Sequence, residues 1–230
     1  MIARRQLNAN SESVDNYLKA ILSLGGPEEQ RVTSSALADR LAVAPASVTN
    51  MLQRLATSLI PLVEYERHRG VRLSEAGKRR ALEVLRHHRL LETFLYQVLD
   101  YPVEEVHEEA ERLEHFISER FEERIAAKLG QPTIDPHGHC IPAMDGKMPR
   151  ENSLPLTSVG EEAIVVVDSI TDRNPATVKL LRMSGIAPGV QLRATKRHPE
   201  DGYTLRIDGV VKPLHLSHEA ANAVRIQPPR

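Results

Sequence analysis

Residues 33–73, TSSALADRLAVAPASVTNMLQRLATSLIPLVEYERHRGVRL, decide the fold of the N-terminal part of this chain. Two short helices are predicted here: Thr33 caps the first, and Pro45 lies in the first turn of the second, where its missing N–H costs no hydrogen bond. After Pro61 the apolar period changes from about 3.6 residues to two, which predicts a β-hairpin that turns at Gly70. This order of elements is typical of a winged helix-turn-helix.

The exposed face of the second helix and the tip of the hairpin indicate a DNA-binding surface. Hydroxyl and amide side chains on that helix face can read base edges or contact phosphates, and arginines at the hairpin suit phosphates or the minor groove. An ordinary three-helix domain with a polar surface is the alternative, but the order of the elements favours DNA binding. The candidate DNA-contacting residues are Thr33, Ser35, Ser47, Thr49, Asn50, Arg67, Arg69 and Arg72.

Helical periodicity surrounds this segment, and strand patterns follow it. A first helix is predicted from Ser11, as its cap, to the glycines at 25 and 26, and a long helix follows Ser74. A second long helix is predicted from about Val103 to Leu129. Residues 131–160 alternate proline, glycine and polar residues, which indicates a loop and a linker, and residues 160–230 contain short strands with one helix between the first two. The expected fold class is therefore mainly α with β, ending in a small β-barrel.

Composition argues against a membrane protein. No apolar run approaches the roughly 18 residues that a membrane helix needs, and the N-terminus does not resemble a signal peptide. The single cysteine, Cys140, cannot form an internal disulfide, and no zinc-finger spacing occurs among the 230 residues. We therefore expect a cytoplasmic protein with no membrane partner.

The net charge of −1 conceals an uneven distribution along the chain. Residues 1–80 carry 12 basic and 8 acidic side chains, whereas residues 81–130 carry 6 basic and 12 acidic ones. A basic N-terminal segment suits a polyanionic partner, and an acidic segment with interspersed histidines suits cations.

Histidine and glutamate recur at helical spacing within the acidic segment. In HEEAERLEH, residues 107–115, two histidines and two glutamates fall at positions i, i+4, i+7 and i+8, and HHRLLE adds another pair at i and i+4. If two such helices pack antiparallel, the stripes can converge on divalent cations. Mixed imidazole and carboxylate donors without a thiolate favour Mn²⁺ or Fe²⁺. The two candidate ligand sets are His88, Glu92 and His107, and Glu111, Glu114 and His115.

Two other interpretations of these residues are a solvated helix face and a hydrolytic metal site. In the first, Arg89, Arg112 and Arg120 would balance the glutamates through i,i+4 pairs, but six such residues on two stripes favour metal binding. In the second, an open coordination position and a substrate cleft are needed, and no HExxH, Gly-rich phosphate loop or GxSxG occurs. We therefore expect no enzyme and no small organic substrate.

The winged helix-turn-helix, HHRLLE, VHEEAERLEH and DPHGHCIP together resemble the diphtheria toxin repressor family of iron- and manganese-dependent regulators, over essentially the full chain. The resemblance implies a winged helix-turn-helix over 1–73, a helical dimerisation and metal-binding domain over 74–144, a linker over 145–159 and an SH3-like domain over 160–230. It makes the set with His88 an ancillary site and the set with Glu111 a primary site.

The resemblance also implies a ligand from the first helix and a preferred metal. The first-helix ligand corresponds to Asn16, with the neighbouring Asp15 as the other candidate. Glu at position 111 matches manganese-responsive members, so Mn²⁺ is favoured over Fe²⁺, with two ions per subunit. The C-terminal module can lend ligands in this family, and here DRNPAT offers Asp172 without a matching pair.

The expected function is a metal-dependent regulator that represses metal-uptake genes. A homodimer would bind a palindromic double-stranded operator when loaded with metal, with half-sites about one helical turn apart. The alternative is a winged-helix regulator that responds to a signal other than a metal.

Overall fold

The structure is a computed structural model that describes residues 3–26, 28–149, 152–171, 173–198, 202–208, 210 and 212–228, with side chains from residue 12 onward. Residues fall into two compact units. The first comprises Met1–His88, Leu113–Ser118 and Pro142–Pro149; the second comprises Arg89–Arg112, Glu119–Ile141 and Arg150–Arg230. None of the described helices combines the length and the apolar character needed to span a bilayer.

The first unit contains a winged helix-turn-helix. Its elements are α1 (Ala3–Gly25), α2 (Ser34–Leu41), α3 (Pro45–Ala56), the strands β1 (Val63–Glu66) and β2 (Gly70–Leu73), and the first part of α4 (Glu75–Leu99). The two strands pair antiparallel. The fold class predicted for this part of the chain is confirmed.

Local chemistry explains where the two short helices begin and how they pack. The hydroxyl of Thr33 accepts a hydrogen bond from the backbone N–H of Ala36 and caps α2, and Pro45 occupies the first turn of α3. Val48, Leu52 and Leu55 recur at helical spacing on α3 and are buried in the core of this unit. The predicted caps and apolar stripe are therefore present.

The hairpin is tied to the strand-like residue Val32, which exchanges two backbone hydrogen bonds with Val71. This approach leaves no room for a side chain at Gly70, because a Cβ built there would lie 2.5 Å from the Val32 carbonyl oxygen. Gly70 also has a φ of +90°, which L-residues with side chains rarely adopt. The glycine is thus required by close packing as well as by the turn.

Two predicted helix boundaries are wrong. The first helix begins at Ala3, eight residues before the predicted cap Ser11. The predicted second long helix is two helices, α5 (Val106–Leu113) and α6 (Glu119–Lys128). Ser118 precedes α6, and serine is a residue type that favours the position before a helix, so the sequence contained a start signal inside the periodic run.

The second unit contains a small antiparallel sheet. The strands of this sheet and the helices between them are β3 (Leu154–Pro155), β4 (Ile164–Ile170), α7 (Pro175–Met183), β5 (Gln191–His198), β6 (Gly202–Ile207), β7 (Leu214–Leu216), α8 (His218–Asn222) and β8 (Val224–Ile226). The described strands follow the order β3-β8-β4-β5-β6-β7, and the core residues Val167, Leu192 and Leu205 are fully buried. The sheet therefore includes residues that the sequence assigns to the linker.

Candidate metal centre

Helix α3 carries the predicted base-reading face and is called the recognition helix below. It exposes part of the predicted DNA-contacting set. Ser47 and Asn50 are exposed, whereas Thr49 is half-buried and its hydroxyl donates to the Pro45 carbonyl oxygen at 3.2 Å. At the start of α2, Thr33 and Ser35 are exposed, and their hydroxyl oxygens lie 3.1 Å apart. The hydroxyl of Thr33 is already used as a helix cap.

The β1–β2 hairpin is the wing, and the positive charges of its arginines are partly neutralised by glutamates of the same hairpin. Arg72 contacts Glu64 at 2.6 Å, and Glu66 accepts from Arg69 at 2.9 Å and from Arg31 at 2.5 Å. Arg67 at the exposed tip has no ion pair among the residues that the structure describes. Of the three predicted wing arginines, Arg67 is the one whose charge is not already matched.

Glu114 lies just after α5 and is the centre of a charged cluster in the first unit. Its side chain is fully buried, and both of its oxygens accept hydrogen bonds from Lys19 Nζ, at 2.7 and 2.9 Å. His88 Nδ1 lies 2.6 Å from Glu114 Oε2, and His115 Nε2 lies 3.3 Å from Oε1. The spacing placed His88 in the other ligand set; in the structure it contacts Glu114.

Helix α1 supplies the neighbouring polar groups of this cluster. Asp15 Oδ1 lies 2.6 Å from Arg80 Nε, and its Oδ2 lies 3.6 Å from His115 Nδ1. Burial raises the pKa of Asp15, but its contacts with His115 and Arg80 outweigh that penalty and hold the pKa below its usual value. The amide oxygen of Asn16 is buried and has no hydrogen-bond partner among the described residues. An amide oxygen is a suitable ligand for a hard metal cation.

In the second unit, Glu92 on α4 contacts two imidazoles and is fully buried. Glu92 Oε1 lies 3.2 Å from His107 Nδ1, and its Oε2 lies 3.7 Å from His137 Nδ1. The fully buried His137 contacts the Val103 carbonyl oxygen through Nε2 at 3.2 Å. A carbonyl oxygen can only accept, so Nε2 carries a proton, and Nδ1 is the ring nitrogen that faces Glu92.

The loop that carries His137 adds two more possible donors that the spacing argument missed. Asp135, His137 and His139 each offer a ligand atom, and these atoms lie within 4.8 Å of one another. Asp135 Oδ1 accepts from the backbone N–H groups of both histidines, at 2.8 and 2.9 Å. The sequence contained one signal for this group, the alternation Asp-x-His-x-His in DPHGHC.

The solvated-face interpretation does not describe the buried residues. Glu92 and Glu114 expose none of their side chains, and Arg89 contacts Asp135 at 3.7 Å. The interpretation does fit the outer face of α5, where Arg112 lies 3.3 Å from Glu109. Glu111 is half-buried on α5, and the remaining candidate, Asp172, lies outside the described residues.

Comparison with known proteins places these features in a family. One family model, "Iron dependent repressor, N-terminal DNA binding domain", matches residues 10–71, and a second, "Iron dependent repressor, metal binding and dimerisation domain", matches residues 74–143. The iron-dependent repressor IdeR of Mycobacterium tuberculosis is 31% identical over 96% of this chain and 99% of its own length. The chain belongs to the diphtheria toxin repressor family.

Other members of the diphtheria toxin repressor family agree with the described architecture. The diphtheria toxin repressor of Corynebacterium diphtheriae is 27% identical over 94% of this chain and 97% of its own length. A solved structure of a manganese-dependent transcriptional repressor in complex with manganese is 34% identical, covers 93% of this chain and 98% of that chain, and superposes with a TM-score of 0.85. The fold expected from the family, including the small C-terminal sheet, is confirmed.

Proposed function

We propose that this member of the family is a DNA-binding transcriptional repressor that a divalent cation activates, with Mn²⁺ favoured and Fe²⁺ as the alternative. The proposal assigns no catalytic role to the chain. The observation that carries it is the burial of two carboxylates, Glu92 and Glu114, each within 3.3 Å of an imidazole nitrogen. Burial of a carboxylate is costly without a compensating cation, so these positions are suited to one.

Two ions per subunit are proposed, one for each buried carboxylate. Glu111, Glu114 and His115, with Asn16 from α1, form one proposed ligand set. His88, Glu92 and His107 form the other, to which the loop of Asp135 and His137 brings further donors. The donors are oxygen and imidazole nitrogen without a thiolate, which is the chemistry that supports Mn²⁺ or Fe²⁺ over Cu⁺.

Helix α1 supports a coupling between metal and DNA binding. Leu18 and Ile21 on α1 are buried in the core of the winged helix-turn-helix, while Asp15 and Lys19 on the same helix contact the Glu114 cluster. A bound cation would supply positive charge between carboxylates of different elements. Groups on α1 that bind it also fix the helix against which α2 and β2 pack, and the recognition helix α3 packs on α2. A coupling of about 1–3 kcal/mol would change DNA occupancy many-fold.

The proposed DNA-binding form is a homodimer on a palindromic operator, with metal-uptake genes as targets. Phe116 and Phe121, which belong to different units, expose 70% and 48% of their surfaces, and exposed aromatic side chains are typical of residues that a second subunit covers. A two-fold dimer presents two recognition helices, so half-sites would lie about one helical turn, roughly 34–36 Å, apart.

The test is DNA binding by the full chain with Mn²⁺, with Fe²⁺ under anaerobic conditions, and with a chelator, on duplexes enriched from a random pool by the Mn²⁺-loaded protein. We expect tight binding only with metal, and we expect the double variant Glu111→Ala, His115→Ala in Mn²⁺ to bind as weakly as chelated wild type. Equal DNA affinity with and without chelator would refute the metal switch and favour a regulator that responds to another signal.

A further inference from the structure

The Glu114 cluster already contains a cation that belongs to the chain. Lys19 Nζ donates to both carboxylate oxygens, at 2.7 and 2.9 Å, and only 15% of the lysine side chain is exposed. Two oxygens of one carboxylate are thus bound by one ammonium group. This is the position that a metal ion would take if Glu114 is a ligand.

We propose that Lys19 is an affinity-determining residue of the metal site, a tethered ammonium that competes with the divalent cation for Glu114. This inference rests on the proposed function, because it takes Glu114 as a metal ligand. Metal–oxygen distances of about 2.0–2.6 Å are shorter than either lysine contact. A divalent ion at those distances would share the carboxylate with the ammonium, which now contacts both oxygens, so the ammonium must give up at least one of its two contacts.

The remaining contacts of Glu114 do not remove this conflict. His88 Nδ1 lies 2.6 Å from Glu114 Oε2, and His115 Nε2 lies 3.3 Å from Glu114 Oε1. The carboxylate therefore has neighbours on several sides. Both imidazoles are at most 3% exposed. Lys19, in contrast, has a long flexible side chain on a partly exposed position and can extend toward solvent when displaced.

Competition of this kind has two measurable consequences of opposite sign. Without metal, Lys19 compensates a buried carboxylate and stabilises the fold; with metal, it must be displaced, and that cost weakens metal binding. Removing its charge should lower the stability of the metal-free protein and raise the affinity for Mn²⁺. A lysine that merely stabilised the fold and stayed in place would show the first effect without the second.

The test compares the full-length wild type with Lys19→Met and Lys19→Arg, and uses Lys179→Met as a matched control. Lys179 contacts Glu104 at 3.3 Å but is 61% exposed and lies outside the Glu114 cluster. Mn²⁺ affinity is measured by calorimetry, and thermal unfolding is followed with chelator and with saturating Mn²⁺.

We expect Lys19→Met to melt at a lower temperature than wild type in chelator, to bind Mn²⁺ at least about tenfold more tightly and to gain more thermal stability from it. Lys19→Arg should keep the weaker binding, and Lys179→Met should match wild type. If wild type binds Mn²⁺ and Lys19→Met binds it equally or more weakly, the competition is refuted while the proposed function stands. If neither binds Mn²⁺, both fail together.

Discussion

His137 presents Nδ1 to Glu92 Oε2 across 3.7 Å while its Nε2 lies 3.2 Å from the Val103 carbonyl oxygen. The backbone contact places a proton on Nε2, so in the neutral imidazole the lone pair of Nδ1 faces the carboxylate in a buried space. A cation placed there, whether a proton on the imidazole or a divalent metal ion, can bind both groups. This relationship makes Glu92 the residue through which the second ion is most directly tested.

Replacing Glu92 should remove one of two ions. Glu92→Gln keeps the shape of the side chain and removes its charge, so we expect calorimetric Mn²⁺ stoichiometry to fall from about two to about one per subunit, with affinity at the lost site reduced by at least about tenfold, a range typical of perturbed metal sites. Glu108→Gln, on a side chain that is 63% exposed, is the control. Two ions retained in Glu92→Gln would exclude Glu92 as a ligand.

Asp15 and Asn16 are the two candidates for the metal ligand from α1, and substitutions at the two positions should affect different properties, stability and Mn²⁺ affinity. Asp15 is held by Arg80 at 2.6 Å, so Asp15→Asn should chiefly lower the free energy of unfolding, by about 1–3 kcal/mol. Asn16 Oδ1 has no hydrogen-bond partner among the described residues, so Asn16→Ala should chiefly weaken Mn²⁺ binding and leave stability in chelator within about 0.5 kcal/mol. Urea unfolding in chelator and Mn²⁺ calorimetry on both variants check this. The reverse pattern would assign the ligand to Asp15.

Removing an acidic residue from the wing should strengthen DNA binding. Glu66 forms ion pairs with Arg31 and Arg69, so Glu66→Gln should leave both arginines available for DNA phosphates. We expect the variant to bind DNA a few-fold more tightly and with a steeper dependence on salt. Glu123→Gln makes the same change in net charge at an exposed position on α6 and should have a smaller effect. Affinity titrations at several salt concentrations measure both, and equal effects of the two variants would contradict a specific role for the wing.

The loop that carries His137 should depend on a glycine. Gly138 has a φ of +97°, and a Cβ there would lie 2.2 Å from the Asp168 carbonyl oxygen, a backbone atom that cannot move alone. We expect Gly138→Ala to cost at least about 2 kcal/mol of unfolding free energy in urea. Gly160→Ala should be nearly neutral, since nothing lies within 4 Å of its Cβ position. A neutral Gly138→Ala would mean that the loop shifts freely away from β4.

The sequence predicts the elements whose chemistry is local. Thr33 and Pro45 mark the beginnings of α2 and α3, and the change of apolar period marks the wing; each depends on residues within a few positions of one another. The break between α5 and α6 was missed because the apolar period continues through it. Periodicity alone does not detect a local start signal such as Ser118.

The clusters around Glu114 and Glu92 contain residues that are far apart in the sequence, so sequence patterns do not reveal which residues meet. Lys19 and Glu114 are 95 positions apart, and no local sequence pattern around either residue indicates that they meet. His137 lies in an irregular loop, where neither helical nor strand period applies, and its orientation is fixed by the Val103 carbonyl 34 positions away. The helical spacing identified donors on the helices and, with Glu114 and His115, just beyond the end of α5. It could not identify the donors in the irregular loop.

The placement of Lys19 beside the core residue Leu18 has an evolutionary consequence. Leu18 is fully buried in the winged helix-turn-helix, while the next side chain points to a different neighbour, Glu114. If Lys19 competes with the metal as proposed, a single codon change at position 19 would reset the metal concentration at which the protein represses its genes and leave the DNA-contacting residues unaltered. Descendants of this protein could adapt to metal-poor or metal-rich habitats without changes in the DNA-binding domain other than at this position.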